Sequence, residues 1–294
     1  MTESHPKITQ AMVDAYDEYT HLTLDRRSFM NKLTGLAGSA TAAAAIAPLL
    51  GASKAGAQMI AADDARLETS DITYPGASGE VKAYLAIPRD GAGKRGAVIV
   101  IHENRGLNPH IRDVARRMAL EGFIALAPDF LSQAGGTPED EDIAREMFSK
   151  LDRDKLLGDA VAARAFLAGH ARSNGKVGAV GFCWGGGLVN TMAVADPDLA
   201  AGVAYYGAQP KKEDVPAIKA SLLLHYAGLD ERINAGIADY EAALKANGKD
   251  FTIHVYDGVN HAFNNDTSAA RYDKAAADLA WGRTVAFLKD KLKP

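Results

Sequence analysis

The segment from Gly181 to Gly187 constrains the fold of this chain more than any other feature. It reads Gly-Phe-Cys-Trp-Gly-Gly-Gly, it follows directly on the apolar run 177–180, and its cysteine is the only one among 294 residues. A side chain set in a tight passage from a strand into a helix has a strained backbone, so its neighbours must lack bulk. The pattern therefore predicts a strand, a tight turn and a helix, with Cys183 presented as a nucleophile at the turn.

The helix expected to begin after Cys183 explains why a cysteine suits this position. Its first free N–H groups and the positive end of its dipole point at the sulfur, which favours the thiolate over the thiol. The alternative is a buried, inert cysteine before a glycine-rich turn, because free cysteine is among the most buried residue types. The combination of strand, Gly-x-Cys-x-Gly-Gly and helix favours the nucleophile.

The composition narrows the classes of function. Hydrophobic residues make up 47% and charged residues 24% of the chain, as in ordinary globular proteins. The formal net charge of -4 and the pI near 6.1 leave no basic surface for nucleic acid. A single cysteine excludes an internal disulfide and a thiolate metal cage, and the histidines lack the spacing of a zinc protease. A thiol nucleophile needs no metal or organic cofactor, and the sequence predicts none.

From Thr69 onward, short β-rich runs alternate with helical ones. Such repeated units indicate a doubly wound, mostly parallel sheet with helices on both faces, here the α/β-hydrolase fold, whose ligands bind beyond the carboxyl ends of the strands. Strands are predicted at 72–74, 81–87, 97–101, 123–127, 177–180, 201–206, 221–226 and 251–256. Helices are predicted at 109–120, 137–150, 156–171, from just past 183 to about 194, and at 233–247 and 272–292.

A thiol nucleophile needs a base, and the base needs an acid that orients it; in this fold they follow the nucleophile in the order acid, histidine. Asp230 comes just after the strand at 221–226, and His261 comes just after the strand at 251–256. Both are therefore expected beside Cys183, at the edge of the sheet where the parallel strands have their carboxyl ends. We call this edge the rim. Asp257 is a rival acid, although a turn-forming Asp-Gly pair explains it without chemistry. The competing histidines are expected inside strands or helices: His225 and His254, His110 and His170.

The loop after the strand at 97–101 supplies a third element of the site. It reads His-Glu-Asn-Arg-Gly at 102–106. In this fold that loop gives one N–H to the oxyanion hole, and the residue after the nucleophile gives the other. We therefore expect the backbone N–H groups of Trp184 and Asn104 to hold the oxyanion. Glu103 reaches the same rim, where it either holds the thiol proton or caps the next helix.

The first 68 residues read as an extension before the domain at 69–294. Arg26-Arg27, an Ala-rich apolar run from about 33 to 50 and Ala55-Gly56-Ala57 resemble a twin-arginine export signal over about 25–57. This predicts recognition by the twin-arginine translocation machinery, a periplasmic protein and no stable membrane span after processing. Two alternatives stay open. In the first, the segment is retained as helices that lie on the domain of a cytoplasmic protein, because residues 8–24 have helical periodicity. In the second, the apolar run is an uncleaved membrane anchor.

Five motifs together resemble the dienelactone hydrolase family of α/β-hydrolases, over about 69–293. They are Gly-Phe-Cys-Trp-Gly-Gly at 181–186, the loop at 102–106, Ala-Pro-Asp at 127–129, Gly-Leu-Asp at 228–230 and Asn-His-Ala-Phe at 260–263. The resemblance implies a triad of Cys183, Asp230 and His261. It also implies that Glu103 contacts the cysteine and helps to turn a dormant thiol into a thiolate when substrate enters.

The sequence departs from this family where the substrate is read. Family members that act on dienelactone carry arginines for its carboxylate, one of them shortly after the catalytic histidine. Here Asn264-Asn265-Asp266 follow Phe263, the next arginine is Arg271, and Arg105 is a candidate substitute. The resemblance thus implies hydrolysis of a small ester or lactone through a thioester, without naming the substrate. A non-hydrolytic ligand-binding protein and a thiol redox protein are the alternatives.

Overall fold

A computed structural model describes residues 7–21, 23–51, 59–91 and 93–293 of the chain. Over these residues one eight-stranded sheet runs through the molecule in the order β1-β2-β4-β3-β5-β6-β7-β8. The first two strands pair antiparallel, β2 also pairs antiparallel with β4, and the other neighbours are parallel. The strands are β1 (Leu67–Gly76), β2 (Gly79–Pro88), β3 (Arg95–Ile101), β4 (Ile124–Pro128), β5 (Ser173–Phe182), β6 (Ala201–Tyr205), β7 (Ser221–Ala227) and β8 (Phe251–Tyr256).

Helices cover both faces of this sheet. Along β3 the side chain of Ile99 belongs to the core on one face of the sheet, while its neighbours Val98 and Val100 belong to the core on the other face. A strand buried on both faces needs a continuous apolar sequence, which 97–101 provides. The helices are α1 (Gln10–Thr20), α2 (Arg26–Ala37), α3 (Ala40–Leu50), α4 (Pro109–Leu120), α5 (Glu141–Phe148), α6 (Arg153–Ala168), α7 (Trp184–Ala195), α8 (Glu231–Asn234), α9 (Ile237–Ala246) and α10 (Lys274–Lys291). The predicted α/β-hydrolase architecture is confirmed.

Several predicted helices have different bounds in the structure; the one expected over 137–150, for example, is confined to Glu141–Phe148. The single helix expected over 233–247 is wrong, because the chain forms α8 and α9 with Gly236 between them. At this break the side-chain amide of Gln209 donates to the Ile233 carbonyl at 3.1 Å, near the end of α8. The helix expected over 156–171 ends at Ala168, which leaves His170 in the following loop.

The N-terminal helices have a small core of their own. Met12, Tyr16, Phe29, Leu33 and Ile46 are buried together where α1, α2 and α3 meet. The periodicity of residues 8–24 therefore does correspond to a helix. Among the described residues no single helix is long and apolar enough to cross a membrane, although α2 and α3, bent by 112° at their junction, pass on length and composition as a pair.

Two predictions about this extension stay untested. The small-residue pattern at 55–57 lies outside the described residues. The division of the chain at residue 69 also stays a prediction; the first strand of the sheet begins at Leu67.

Candidate active site

Cys183 occupies the tight turn between β5 and α7. Its backbone has φ 55° and ψ -115°, a conformation that residues other than glycine rarely adopt. The turn is held because the Cys183 N–H donates to the carbonyl of Tyr205, at 3.0 Å. A Cβ on Gly181 would lie 2.1 Å from the Gly185 oxygen, and a Cβ on Gly185 would lie 2.5 Å from the oxygens of Ile101 and His102. The glycines are therefore required by close approach of strand, helix and loop.

Asp230 and His261 meet at the same end of the sheet. One carboxylate oxygen of Asp230 lies 2.5 Å from His261 Nδ1, and the other accepts the Ile233 N–H at 3.2 Å. Both residues are about 5% exposed, so water competes little for this contact. The rival acid Asp257 is exposed in the turn after β8. The structure thus brings Asp230 to the imidazole.

A second histidine, His21, contacts the sulfur. Its Nε2 lies 3.4 Å from Cys183 Sγ, whereas Nε2 of His261 is buried with no hydrogen-bond partner among the described residues. Sγ and one ring nitrogen from each histidine lie within 4.8 Å of one another. These donor types also bind zinc, so an ion at this position would occupy the nucleophile.

His21 belongs to the N-terminal extension, just past α1. Its Nδ1 lies 2.8 Å from the Asp17 carbonyl oxygen and 3.3 Å from the Asp17 carboxylate. Asp17, His21 and Cys183 therefore repeat the order of carboxylate, imidazole and sulfur that Asp230 and His261 form from the other side. The sequence analysis missed His21; the available signal was an aspartate and a histidine four residues apart on a periodic helix.

The two imidazoles decide the ionisation of the sulfur. Burial opposes the thiolate, but the positive charges of His261 and His21 outweigh it and lower the pKa of Cys183 to about 6. Burial likewise opposes the charged form of His21, but the thiolate and Asp17 raise its pKa to about 9. The pKa of His261 is raised well above its usual range against the effect of burial, by Asp17, Cys183 and Asp230. Near neutral pH Cys183 is thus a thiolate, and the imidazoles of His21 and His261 beside it are protonated.

The loop after β3 lies against the first turn of α7. Trp184, which begins that helix, stacks on the ring of His102 with 5.9 Å between centroids, and its edge meets Phe148 at 4.3 Å. His102 is fully buried; its Nε2 accepts the Phe130 N–H, and burial lowers its pKa, which keeps it neutral. This packing holds His102, at the start of the loop, against the N-terminus of α7. The oxyanion-binding role expected of the Trp184 and Asn104 N–H groups stays a prediction.

The three charged or polar side chains of that loop make contacts the sequence did not reveal. Glu103 is buried and accepts from the Asn265 amide at 3.1 Å, and its other oxygen has no hydrogen-bond partner in the part of the chain that the structure describes. The hydrogen bond to Cys183 comes from His21 instead. The Asn104 amide donates to the Thr20 carbonyl at 2.7 Å. Arg105 pairs with Glu141 and donates to the Tyr16 hydroxyl at 2.6 Å. The guanidinium of Arg105, a candidate substrate ligand, is therefore engaged by protein groups here.

Comparison with known proteins decides the family. The family model described as "Dienelactone hydrolase family" matches residues 81–292, well over half of the chain. The chain belongs to the dienelactone hydrolase family. Membership makes it a hydrolase of ester or lactone bonds.

Several relatives are similar to this chain over most of their own length. A protein of Saccharolobus solfataricus named "Putative carboxymethylenebutenolidase" is 32% identical over 257 residues, 74% of this chain and 97% of the relative. Protein usf of Aquifex pyrophilus is 37% identical over 222 residues, 72% of this chain and 94% of the relative. The crystal structure of a "Putative Dienelactone Hydrolase" from Klebsiella pneumoniae aligns with a TM-score of 0.69 at 29% identity, over 76% of this chain and 98% of that one.

The departures of this chain from the dienelactone hydrolase family have a structural counterpart. Asn265, in the segment where the family's arginine was expected, binds Glu103. Arg271 is buried, donates to the Ser268 hydroxyl and lies over the ring of Tyr16 on α1, at 5.1 Å. Arg105, the candidate for substrate binding, and Arg271, the first arginine after His261, therefore both contact the N-terminal extension.

A cavity of about 580 Å³ lies between α1 and the loops that follow β7 and β8. Both histidines, His21 and His261, line it, but Cys183 does not. The cavity is lined by Gln10, Val13, Asp14, Asp17, Glu18, His21, Thr23, Leu229, Asp230, Glu231, Arg232, Asn260, His261 and Arg271.

Proposed function

We propose that Cys183, His261 and Asp230 hydrolyse a small carboxylic ester or lactone in two acyl-transfer steps. The single observation that carries this proposal is the chain of contacts at the rim: a carboxylate 2.5 Å from one nitrogen of a buried imidazole, whose other nitrogen is unpartnered beside the sulfur. That is the arrangement of an activated nucleophile.

In the first step, the Cys183 thiolate attacks the carbonyl carbon, and the pair of electrons of the carbonyl moves onto its oxygen. The resulting oxyanion is held by the backbone N–H groups of Trp184 and Asn104, and each such donor contributes about 3 kcal/mol to stabilisation of the transition state. Collapse of this intermediate breaks the carbon–oxygen bond. The His261 imidazolium gives its proton to the leaving alkoxide, which leaves a thioester on Cys183.

In the second step, neutral His261 removes a proton from water, and the hydroxide attacks the thioester. The carbon–sulfur bond breaks, the acid leaves, and the thiolate beside imidazolium is restored. Asp230 fixes the tautomer of His261 throughout. The raised pKa of His261 and the lowered pKa of Cys183 support this start from an ion pair, because no proton must first leave the sulfur. Thiolate attack suits esters and strained lactones better than amides.

The test uses p-nitrophenyl acetate and a dienelactone with the Cys183→Ala and His261→Ala proteins. We expect both variants to lose ester hydrolysis by at least about 10²-fold. His170→Ala is the matched control, because it removes an imidazole from a partly exposed loop before the start of β5, at the opposite end of that strand from Cys183, and should leave the rate unchanged. Mass spectrometry of a quenched reaction should find the acyl group on Cys183.

Undiminished hydrolysis by Cys183→Ala would remove the cysteine from the mechanism. Absence of turnover over a broad ester panel, with tight ligand binding, would indicate a binding protein instead. Rapid peroxide reduction at Cys183 without ester hydrolysis would indicate a thiol redox protein.

We also propose that the chain is exported through the twin-arginine machinery. Arg26 and Arg27 are exposed at the start of α2, where a receptor can read them, and Asp25 caps this helix. The test compares the wild-type chain with an Arg26→Lys, Arg27→Lys double variant by cell fractionation and N-terminal sequencing. We expect a shortened periplasmic protein from the wild type and a cytoplasmic one from the variant. A cytoplasmic wild-type protein that begins at Met1 or Thr2 would refute export.

A further inference from the structure

Helix α1 lies directly on the loops that carry the site. From its first turn, the Gln10 amide donates to the Asn260 side-chain oxygen at 2.5 Å, next to His261. At its other end, the carbonyl of Thr20 accepts from Asn104 and the carbonyl of Tyr19 accepts from Arg145, at 2.7 and 2.6 Å. These contacts join both ends of one helix to separate loops of the rim.

Three arginines of the hydrolase domain are buried beneath this helix. Arg145 lies over the ring of Tyr19 at 3.8 Å, and Arg271 and Arg105 approach the ring of Tyr16 at 5.1 and 5.7 Å. A guanidinium gains from an aromatic face when it is shielded from water. The rim therefore offers cations, and α1 brings the aromatic rings and terminal carbonyls that satisfy them.

His21 takes the position that a reacting carbonyl needs. Reacting atoms must approach to about 3–3.5 Å before a bond forms. His21 Nε2 is already 3.4 Å from Cys183 Sγ, and its ring meets that of His261 edge-on at 4.7 Å. The cavity beside it reaches both imidazoles without reaching Cys183. The imidazole of His21 thus separates the cavity from the nucleophile.

Helix α1 lies before the segment that the family model matches. The family model begins at residue 81, and the Klebsiella structure is 98% covered by 76% of this chain. The core of α1, α2 and α3 is separate from the two cores around the sheet. A unit with its own core can leave the rim without unpacking the domain.

From these contacts we propose that the rim of the active site is a docking surface for residues 10–21 of the same chain. Docking blocks access of substrate to the Cys183 sulfur until this segment leaves. His21 is the closing group, and the carbonyls at the end of α1 bind the arginine and asparagine side chains that face substrate in the open form. The inference concerns the site assigned under the proposed function and rests on it. Export would make removal of the extension the opening step.

The test measures accessibility of the sulfur separately from catalysis. Because Cys183 is the only cysteine, alkylation by iodoacetamide reports on this site alone. A specific protease site replaces residues 52–58 in the full chain, and the protein is cut in its folded state and then diluted. Dilution matters because cutting turns an intramolecular contact, with an effective concentration near millimolar, into an intermolecular one.

We expect cutting and dilution to raise both the alkylation rate and the rate of p-nitrophenyl acetate hydrolysis by at least about tenfold, in proportion to the open fraction. The uncut chain with the same replacement keeps the slow rates. Arg145→Met, which loses the contact with Tyr19, should raise alkylation in the uncut chain, and so should His21→Ala. Asn31→Ala on the exposed side of α2 is the matched control and should change neither rate. All rates are taken on the plateau at high pH, and circular dichroism confirms folding.

Alkylation that is unchanged after cutting and dilution, and also in the Arg145→Met and His21→Ala variants, would refute docking. A fall in hydrolysis on dilution, with folding retained, would refute it as well, because α1 would then be a wall of the working site. Faster alkylation without ester hydrolysis in any form would support docking and refute the hydrolase mechanism.

Discussion

The Gly185→Ala substitution tests how closely the strand, the loop and the helix approach one another around Cys183. A Cβ there would lie 2.5 Å from the carbonyl oxygens of both Ile101 and His102. Main-chain oxygens cannot rotate away as a flexible side chain can, so α7 must move from β3. Overpacking costs about 1–3 kcal/mol, and two main-chain contacts place Gly185→Ala at about 3. Alanine returns about 1 kcal/mol through helix propensity, which leaves a loss of about 2 kcal/mol.

For a domain of this size a loss of about 2 kcal/mol lowers the melting temperature by about 4–8 °C. Displacement of the turn by about 1 Å should also reduce ester hydrolysis by about 10²-fold. Circular dichroism during heating and the rate with p-nitrophenyl acetate measure the two effects. Gly187→Ala is the matched control, because the nearest atom to its Cβ is 3.5 Å away and alanine should be neutral or stabilising by up to about 1 kcal/mol. Equal melting temperatures for wild type and Gly185→Ala, or equal losses in both variants, would refute this reasoning.

Three further predictions concern the site and its support. Asp230→Asn should lower kcat by about 10⁴-fold through the wrong His261 tautomer, while the exposed Asp257→Asn should not; equal rates for both variants would restore Asp257 as a candidate. The rate of Cys183 alkylation should rise as pH increases through about 6, because the thiolate forms there. His21→Ala should move the midpoint of this rise to higher pH, because one positive charge beside the sulfur is lost. An unmoved midpoint would contradict the electrostatic role of His21. Thr284→Val should lower the free energy of unfolding, measured in urea, by about 1–3 kcal/mol, because it leaves the buried Tyr205 hydroxyl and His225 Nε2 without their partner. The control Thr191→Val, at an exposed position, should change it by less than about 0.5 kcal/mol. Similar losses in both variants would show that burial of the hydrogen bonds does not matter.

Local sequence signals were sufficient for most of the fold. The helix predicted at 109–120 and the strand predicted at 251–256 have those same bounds in the structure. Asn108 caps the helix, Pro109 begins it, and the strand lies between the turn-forming residues 247–250 and 257–258. The break at Gly236 could not be predicted from periodicity, because the Gln209 amide that binds the Ile233 carbonyl beside it comes from another part of the chain.

The site was predictable where chain order and strand ends determine position. Asp230 and His261 follow neighbouring parallel strands, so their proximity follows from the topology. His21 does not, because nothing in a local pattern shows that a helix 162 residues before Cys183 docks on its rim. The partners of Glu103 and Arg105 depend on that same docking and on long-range contacts with Asn265 and Glu141, and were equally hidden.

The order of the strands separates reaction from recognition. The groups proposed as nucleophile, acid and base follow β5, β7 and β8, and Tyr206, just after the intervening β6, contacts the His261 ring with 4.8 Å between ring centroids. Interstrand hydrogen bonds fix those attachment points relative to one another. The excursions at 129–152 and 207–220 leave the sheet from β4 and β6 and carry none of the three groups. Evolution or an engineer can lengthen, shorten or recharge these two excursions to admit a different ester while the bond-breaking apparatus keeps its dimensions.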